Sequence, residues 1–436
     1  MEVYFLVVLT SILALILVFF DRKSIISIRC NPWSIIFYKE ILFILPSVFL
    51  VVIFGVDYFK TFYLADQNKT FLISCFIIYV LFSFSLSLVF LSFFGFDIGR
   101  IYKYNLSFSL NDHYRIRVFG YAVIIVAIFL LIFSMLFLGY KHAFLSTILT
   151  GENLIHVRLN NTYNSSLPTQ VSYVFAIAIG ISSIFSVYLF YYFGRFQGVI
   201  VFVACLILST ADGAKGTLLN VFVFMLSAYF YFYNPKVKFL KVLFKLFVFL
   251  FFSLTILFYV LSLQVPDLDL PRFINYLIER VGVGQMAGVY EALSVELSSF
   301  QYGWHTIPFA SLYVDYPIFS KDLMLLSEGG TASSVGVKNS LFVSEAFGIG
   351  GWPLAYLAPW LFGFSYVVKS FIIYFSLNIL FSNVVAKLYS LPLLFISTKL
   401  TGDFSSIIFQ KGTILLLITF VVFYLSVFFV KFFIKK

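Results

Sequence analysis

The chain has 436 residues, of which 62% are apolar and 11% are charged, and its mean hydropathy is +1.03. A soluble globular domain is about half apolar and a quarter charged, so the composition excludes a soluble globule. The formal net charge of +10 raises the question of a nucleic-acid partner, but the basic residues flank apolar segments and instead indicate membrane topology. We therefore expect no nucleic-acid partner.

Apolar runs of about 20 residues, each long enough to cross roughly 30 Å of hydrocarbon, recur along the whole sequence. They predict α-helices, because backbone polar groups in lipid must pair within their own segment and the alternation typical of a barrel is missing. The first run has no basic start and no cleavage site, which predicts a retained helix. The eleven predicted spans are 2–20, 34–56, 71–94, 118–139, 171–193, 196–211, 217–233, 240–263, 346–368, 386–398 and 412–430.

The predicted plan divides the chain into three parts. Residues 1–263 hold spans one to eight, residues 264–341 form one large extramembrane loop, and residues 342–436 hold spans nine to eleven. Prolines interrupt the stretch 350–400, so a long tilted ninth helix and a short, bent tenth helix are both compatible with it.

The basic residues predict the orientation of these spans. Eighteen of the 29 lysines and arginines fall on one side of the plan, which the positive-inside rule makes cytoplasmic. That side is assigned only four of the 19 acidic residues, namely Asp21, Glu40, Asp97 and Asp112. We therefore expect the N-terminus and the large loop to lie outside and the C-terminus inside.

Several kinds of site are not expected from this sequence. The three cysteines are scattered over a loop and two spans, which fits neither a disulfide framework nor a catalytic thiol. The four histidines lack metal-ligand spacing, and the sequence contains neither a P-loop nor a dinucleotide-binding motif. We therefore expect no metal, no cofactor and no ATP-driven pump.

The outward-facing polar residues fall into four places, of which two precede the large loop. The first is the loop 141–170, which contains His156 and Arg158. The second is the turn 211–216, which contains Lys215 and joins two spans of only about 16 and 17 residues. Such a short, Gly-broken pair predicts a discontinuous hairpin that lines a cavity, although Lys215 could equally extend to the interface.

The third place opens the large loop. Asp269 and Pro271 predict the start of a helix. If that helix continued for eleven further residues beyond Arg280, Glu291 would share its face, since eleven steps of 100° leave about 20° after three turns. The intervening glycines weaken a helix, and they can instead let the backbone approach a ligand. A solvated face, with Arg280 paired to Glu279, is the alternative.

The fourth place lies at the entrance to span nine. It consists of Lys338, Asn339 and Ser340 followed by Glu345 and a Gly-containing stretch. Glu345 is an acid at the start of a hydrophobic helix. A carboxylate there is either a functional group or a partner of the helix dipole.

Arginine and lysine side chains that converge at an outer membrane surface suit a diphosphate, because guanidinium forks to phosphate oxygens and ammonium neutralises charge. A lipid-linked diphosphate would meet them at headgroup height. The outer rim also carries aromatic rings that could stack on sugars, although such rings populate every membrane interface. These aromatic residues are Tyr163, Tyr173, Tyr302, Trp304, Tyr313 and Tyr316.

At these residues the chain resembles the Wzy-type O-antigen polymerases, which join oligosaccharide repeat units. The resemblance covers nearly the whole chain and rests mainly on the hydropathy plan and the late large loop. The matching segments are the turn 212–216, the Gly-rich stretch around Arg280, and residues 339–350. Many family members have arginine where this chain has Lys215, so a forked phosphate contact is not expected there.

The resemblance implies an all-α polytopic membrane protein with the GT-C-like fold that is shared with the O-antigen ligases. It implies a bacterial inner-membrane glycosyltransferase that needs neither metal nor nucleotide sugar. The donor would be the growing glycan on undecaprenyl diphosphate, and the acceptor a single lipid-linked repeat unit, with the large loop in the periplasm. The implied partners are these lipid-linked oligosaccharides, membrane lipids and a chain-length regulator protein.

This chemistry needs cations for the departing diphosphate and a base for the acceptor hydroxyl. We predict Arg280 first as the diphosphate ligand, followed by Arg158, Lys215 and Arg272. The predicted base is one of three residues that the sequence does not rank: His305, Glu291 and Glu345. The predicted sugar-binding residues are Asn339, Gln285, Tyr302 and Trp304. The alternatives are an O-antigen ligase and a flippase or polysaccharide transporter; spans almost free of charge and the lack of an internal repeat count against the transporter.

Overall fold

A computed structural model of the chain describes part of the sequence. The described residues are 2–19, 32–96, 98, 108–152, 156–158, 161, 168–213, 215–233, 268–295, 297–329, 339–397 and 400–407, with scattered positions at 251, 254–255, 258–259, 262, 414, 417–418, 421–422 and 424–425. Within these residues every regular element is helical and no strand occurs. Predicted spans eight and eleven lie mostly outside the described residues.

Thirteen α-helices form the described part of the fold. They are α1 (Glu2–Phe19), α2 (Pro32–Phe54), α3 (Thr70–Phe93), α4 (Leu110–Phe137), α5 (Ala143–Thr150), α6 (Thr169–Tyr192), α7 (Arg195–Thr210), α8 (Lys215–Tyr233), α9 (Leu270–Leu277), α10 (Ala287–Ser294), α11 (Phe319–Glu328), α12 (Phe342–Leu380) and α13 (Asn383–Ser397). Four stretches are long and apolar enough to cross a membrane by length and composition: Gln67–Phe93, Leu110–Phe137, Val171–Tyr192 and Phe342–Leu380. The fold is therefore all-helical and compatible with a membrane protein.

Small residues set the helix crossings. Gly363 of α12 faces Ser87 of α3, where a Cβ would lie only 1.7 Å from the hydroxyl oxygen. Gly180 of α6 faces Pro392 of α13, where a Cβ would lie 2.4 Å from the proline ring. Close approach at small residues is how helices pack in lipid, where burial of apolar side chains against one another contributes little.

The long helix α12 consists of a short arm, residues 342–349, and a long arm, residues 352–380, joined by a kink. Gly351 has φ +64, a left-handed conformation that only glycine adopts without strain, and Gly350 beside it is also non-helical. The Phe342 ring stacks on the Phe362 ring with centroids 4.2 Å apart, so the short arm folds back along the long arm. The predicted ninth span is thus a longer helix with a folded-back entrance, and Pro353 lies in the first turn of the long arm, where its missing N–H is tolerated.

The predicted helix start in the large loop is confirmed. The Asp269 carboxylate accepts the Arg272 N–H at 2.9 Å and caps α9, with Pro271 in the first turn. The helix does not continue regularly, because it passes into a π-helical turn at Ile278–Val283 before α10 begins. A single straight helix that aligns Arg280 with Glu291 is therefore not formed.

Three charged side chains correct the prediction that the spans hold almost no charge. Glu40 lies two turns inside α2 and is 3% exposed, whereas the charge count assigned it to the cytoplasmic side of the plan. Lys369 of α12 and Lys387 of α13 are 2% and 7% exposed. Ionisable groups buried in apolar helices are costly and often mark function.

Candidate functional site

A hydrogen bond between a histidine and a buried carboxylate joins the large loop to the short arm of α12. The His305 Nδ1 lies 2.6 Å from the Glu345 Oε1, and the two side chains are 20% and 1% exposed. His305 ends a 3-10 turn at Phe300–Thr306, which the Ser299 side chain caps. The Ser299 N–H donates to the Gly348 carbonyl at 2.8 Å, which holds this turn against the short arm.

The second carboxylate oxygen of Glu345 is also bonded. The Ser405 N–H donates to Glu345 Oε2 at 2.7 Å. Ser405 belongs to residues 400–407, here named the crossing segment, which follows α13 and ends in a 3-10 turn. With both oxygens engaged, the Glu345 carboxylate is fixed in position.

Asp403 of the crossing segment interacts electrostatically with His305 and Glu345, and the three residues are here named the acid–base cluster. Burial and then the charge of Glu345 raise the pKa of Asp403 to about 6, against the opposing effects of His305 and the Ser320 hydroxyl. Burial lowers the pKa of His305, but the hydrogen bond and charge of Glu345 outweigh it, and Asp403 adds to them, so the pKa lies above 6.5. Both groups therefore keep their protons to a higher pH than the free side chains do.

The contact between Nδ1 and Glu345 suits the imidazole to proton transfer. When Nδ1 donates its proton to Glu345, Nε2 is left to accept one from a substrate hydroxyl. A carboxylate on the far nitrogen also stabilises the imidazolium that forms. The Tyr316 ring lies beside the imidazole, with ring centroids 5.9 Å apart.

Glu291, the third predicted base, lies elsewhere. It is fully buried, and its Oε1 accepts the Tyr63 N–H at 2.8 Å. The bond belongs to a seam between residues 55–69 and residues 278–295, where the Thr61 hydroxyl also donates to the Glu279 carboxylate at 2.5 Å. The Lys60 N–H donates to that same carboxylate at 3.3 Å, so Glu279 binds residues 55–69.

The structure brings the four predicted polar places together as two pairs. The Ala143 N–H donates to the Ala211 carbonyl at 2.9 Å, which joins the first place to the second. The Gly288 N–H donates to the Asn339 carbonyl at 2.9 Å, which joins the third to the fourth. A Cβ at Gly288 would lie 2.6 Å from that carbonyl oxygen, so this glycine permits a close approach of the protein's own backbone.

The predicted diphosphate ligands are described to different extents. Arg158 and Arg272 are exposed. Arg280 lies in the π-helical turn and Lys215 begins α8, while their side chains fall outside the described residues. Their predicted role in binding a diphosphate stays a prediction.

The predicted sugar-binding residues divide by exposure. Tyr302 is 3% exposed, its hydroxyl donates to Asp322 Oδ2 at 3.1 Å, and its ring packs on Phe319, so no ring face is open to a sugar. Trp304 is 42% exposed, and Asn339 is also exposed. Gln285 is partly buried. Exposure thus leaves Trp304 and Asn339 as the available members of this set.

The sequence analysis missed Asp403 and Ser405. Both lie in the short gap between predicted spans ten and eleven, and an acid in an outward-facing gap was the available signal. Nothing local to that gap indicates that it meets Glu345, which is 60 positions away from Ser405.

The described residues form an all-helical protein that is compatible with a membrane protein, with an acid–base cluster where the large loop meets α12. No protein-family model, curated protein or solved structure matches the chain. Among the described residues, no group of three His, Cys, Asp or Glu side chains is arranged to hold a metal ion.

Proposed function

We propose that this protein is a glycosyltransferase that polymerises undecaprenyl-diphosphate-linked oligosaccharide repeat units at the periplasmic face of the inner membrane. The observation that carries the proposal is the 2.6 Å contact between His305 and the buried Glu345. The resemblance to the Wzy-type polymerases supplies the substrate class, and the cluster supplies the base that the reaction needs.

In the proposed reaction, a sugar hydroxyl of the acceptor repeat unit attacks the anomeric carbon of the donor glycan. The bond between that carbon and the diphosphate oxygen breaks, and its electron pair leaves with undecaprenyl diphosphate. The hydroxyl proton passes to the His305 Nε2, and Glu345 balances the charge of the imidazolium.

The departing diphosphate gains negative charge, so cations directed at it stabilise the transition state. Arg280 is the first candidate for this role, followed by Arg158, Lys215 and Arg272. Glu291 is assigned to the seam, because it accepts the Tyr63 N–H from residues 55–69.

One observation favours a second candidate, a lipid-linked oligosaccharide transporter. Glu40, Lys369 and Lys387 are buried inside helices of the bundle, and transporters bury charged groups along their pathways. A ligase would use the same chemistry as a polymerase with a different acceptor.

Deletion of the gene separates these functions in a strain that makes the corresponding surface glycan. We expect lipopolysaccharide that carries a single repeat unit, because transport and ligation continue while elongation stops. A transporter mutant would instead show bare core, and a ligase mutant would leave polymer on its lipid carrier. Electrophoresis of the lipopolysaccharide distinguishes these outcomes, and bare core without a single-unit band would overturn the proposal.

A further inference from the structure

Glu40 is a buried carboxylate in an apolar helix, and it accepts two hydrogen bonds from a residue near the far end of the sequence. Its Oε2 accepts the Thr401 N–H at 3.1 Å and the Thr401 hydroxyl at 2.5 Å, although the two residues are 361 positions apart. A carboxylate at 3% exposure is costly without such bonds. Aliphatic packing would stabilise α2 more simply, which suggests a role beyond packing.

Thr401 belongs to the crossing segment, whose other contacts lead to the acid–base cluster. The Phe342 N–H donates to the Leu400 carbonyl at 3.2 Å, and the Ser365 hydroxyl bonds the Ile407 carbonyl. Four residues after Thr401, the Ser405 N–H donates to Glu345. Two buried carboxylates therefore accept N–H groups from one short segment, and one of them is the partner of His305.

We propose that Glu40 is a positioning residue that holds the His305–Glu345 pair in its working geometry through the crossing segment. This inference rests on the proposed function for its kinetic consequence only. A displacement of Ser405 by about 1 Å would break its bond to Glu345 and free the carboxylate to turn, and misplacement on that scale can cost a hundredfold in rate. Glu40 fixes Thr401 against that displacement.

The test uses Thr401→Val, which removes the hydroxyl bond to Glu40, and Thr401→Ser, which keeps it. The chain has only four histidines, so ¹⁵N-histidine labelling of the full-length protein in lipid nanodiscs gives few signals, and His305→Gln assigns the one of interest. We expect the wild-type His305 to carry its proton on Nδ1. In Thr401→Val the signal should shift towards the tautomer mixture of free imidazole, and Thr401→Ser should restore it.

Thr61→Val is the matched control, because it removes a hydroxyl bond of the same kind, to Glu279 in the seam, at 2.5 Å. It should leave the His305 signal unchanged. Glu40→Gln provides a second variant should Thr401→Val fail to fold, with a smaller shift in the same direction because the amide oxygen still accepts. An unchanged His305 signal in folded Thr401→Val, or in Glu40→Gln where only that variant folds, would overturn the inference.

A kinetic measurement links the inference to the proposed function. With lipid-linked repeat units extracted from the deletion strain, we expect Thr401→Val to lower kcat about tenfold and to change KM little, since positioning acts on the reacting geometry. Equal kcat values would show that Glu40 serves stability alone. If the wild type makes no polymer, the proposed function fails, while the His305 signals still decide the positioning role.

Discussion

The protein buries two carboxylates against backbone N–H groups, Glu291 of the large loop and Glu345 of α12, and the two differ in their other partners. Glu291 in the seam accepts the Tyr63 N–H at 2.8 Å and is fully buried. Glu345 in the acid–base cluster accepts the Ser405 N–H at 2.7 Å and is 1% exposed, but its other oxygen meets His305. Burial and backbone bonding are thus shared by both sites, and the second adds a hydrogen bond to a histidine.

The difference shows which feature makes a buried carboxylate chemically useful. A carboxylate that accepts a backbone N–H stabilises the loop that donates it, and the peptide N–H does not exchange protons with a substrate. An imidazole beside a carboxylate takes up and releases protons at physiological pH. Glu291 and Glu345 were equal candidates from the sequence, and their partners separate them.

The largest expected effect is that of His305→Gln. Turnover should fall by about 10²–10⁴-fold, because the glutamine side chain cannot act as a general base. Polymer formation in membranes with matched protein amounts measures this change. Retention of more than about a tenth of wild-type turnover would show that His305 is not the general base of the proposed reaction. The Glu345 site would then have no better claim to catalysis than the Glu291 site.

A smaller and different effect is expected for Glu291→Ala. The variant removes the buried carboxylate that accepts the Tyr63 N–H, which should cost about 1–3 kcal/mol of stability. Resistance to thermal unfolding should drop, while turnover per folded molecule stays close to wild type. Thr61→Val in the same seam should behave alike. A loss of turnover as deep as that of His305→Gln, with normal thermal resistance, would move Glu291 into the catalytic machinery.

The smallest effect concerns pH. The pKa of Asp403 is about 6 in the fold against an ordinary 3.8, and the pKa of His305 is raised above 6.5. A group whose pKa is raised by folding adds stability that is present below its unfolded-state pKa. This stability is lost as the pH rises through its folded-state pKa. Both groups therefore make the fold less resistant to heat as the pH rises, Asp403 between about 4 and 6 and His305 above 6.5.

Asp403→Asn tests this assignment through thermal unfolding measured across that pH range. The thermal stability of the variant should no longer decline between about pH 4 and 6, and it should still decline above pH 6.5. His305→Gln should show the reverse pattern. Parallel curves for wild type and Asp403→Asn would mean that Asp403 does not titrate in the cluster.

The sequence alone determined the features that local patterns encode. Hydropathy located the helix α3 and the pair α7 and α8 around the turn 211–216. A long apolar segment predicts a helix because its backbone polar groups must pair within the segment in lipid. Asp269 and Pro271 located the start of α9, because capping involves residues only three positions apart. The composition likewise predicted a membrane protein, because a soluble domain is only about half apolar and about a quarter charged.

The tertiary structure alone decided which of these residues meet. Glu345 lies 40 positions from His305 and 60 from Ser405, and Glu40 lies 361 positions from Thr401. Such contacts depend on how helices pack, and the sequence around each residue does not indicate its distant partner. The same packing buried Tyr302, which the sequence predicted as a sugar-binding residue. An aromatic ring is stable both in a core and at a membrane surface, so the residue type does not decide between them. Local sequence sets each helix, whereas the folded-back arm at Gly351 and the crossing segment assemble the site.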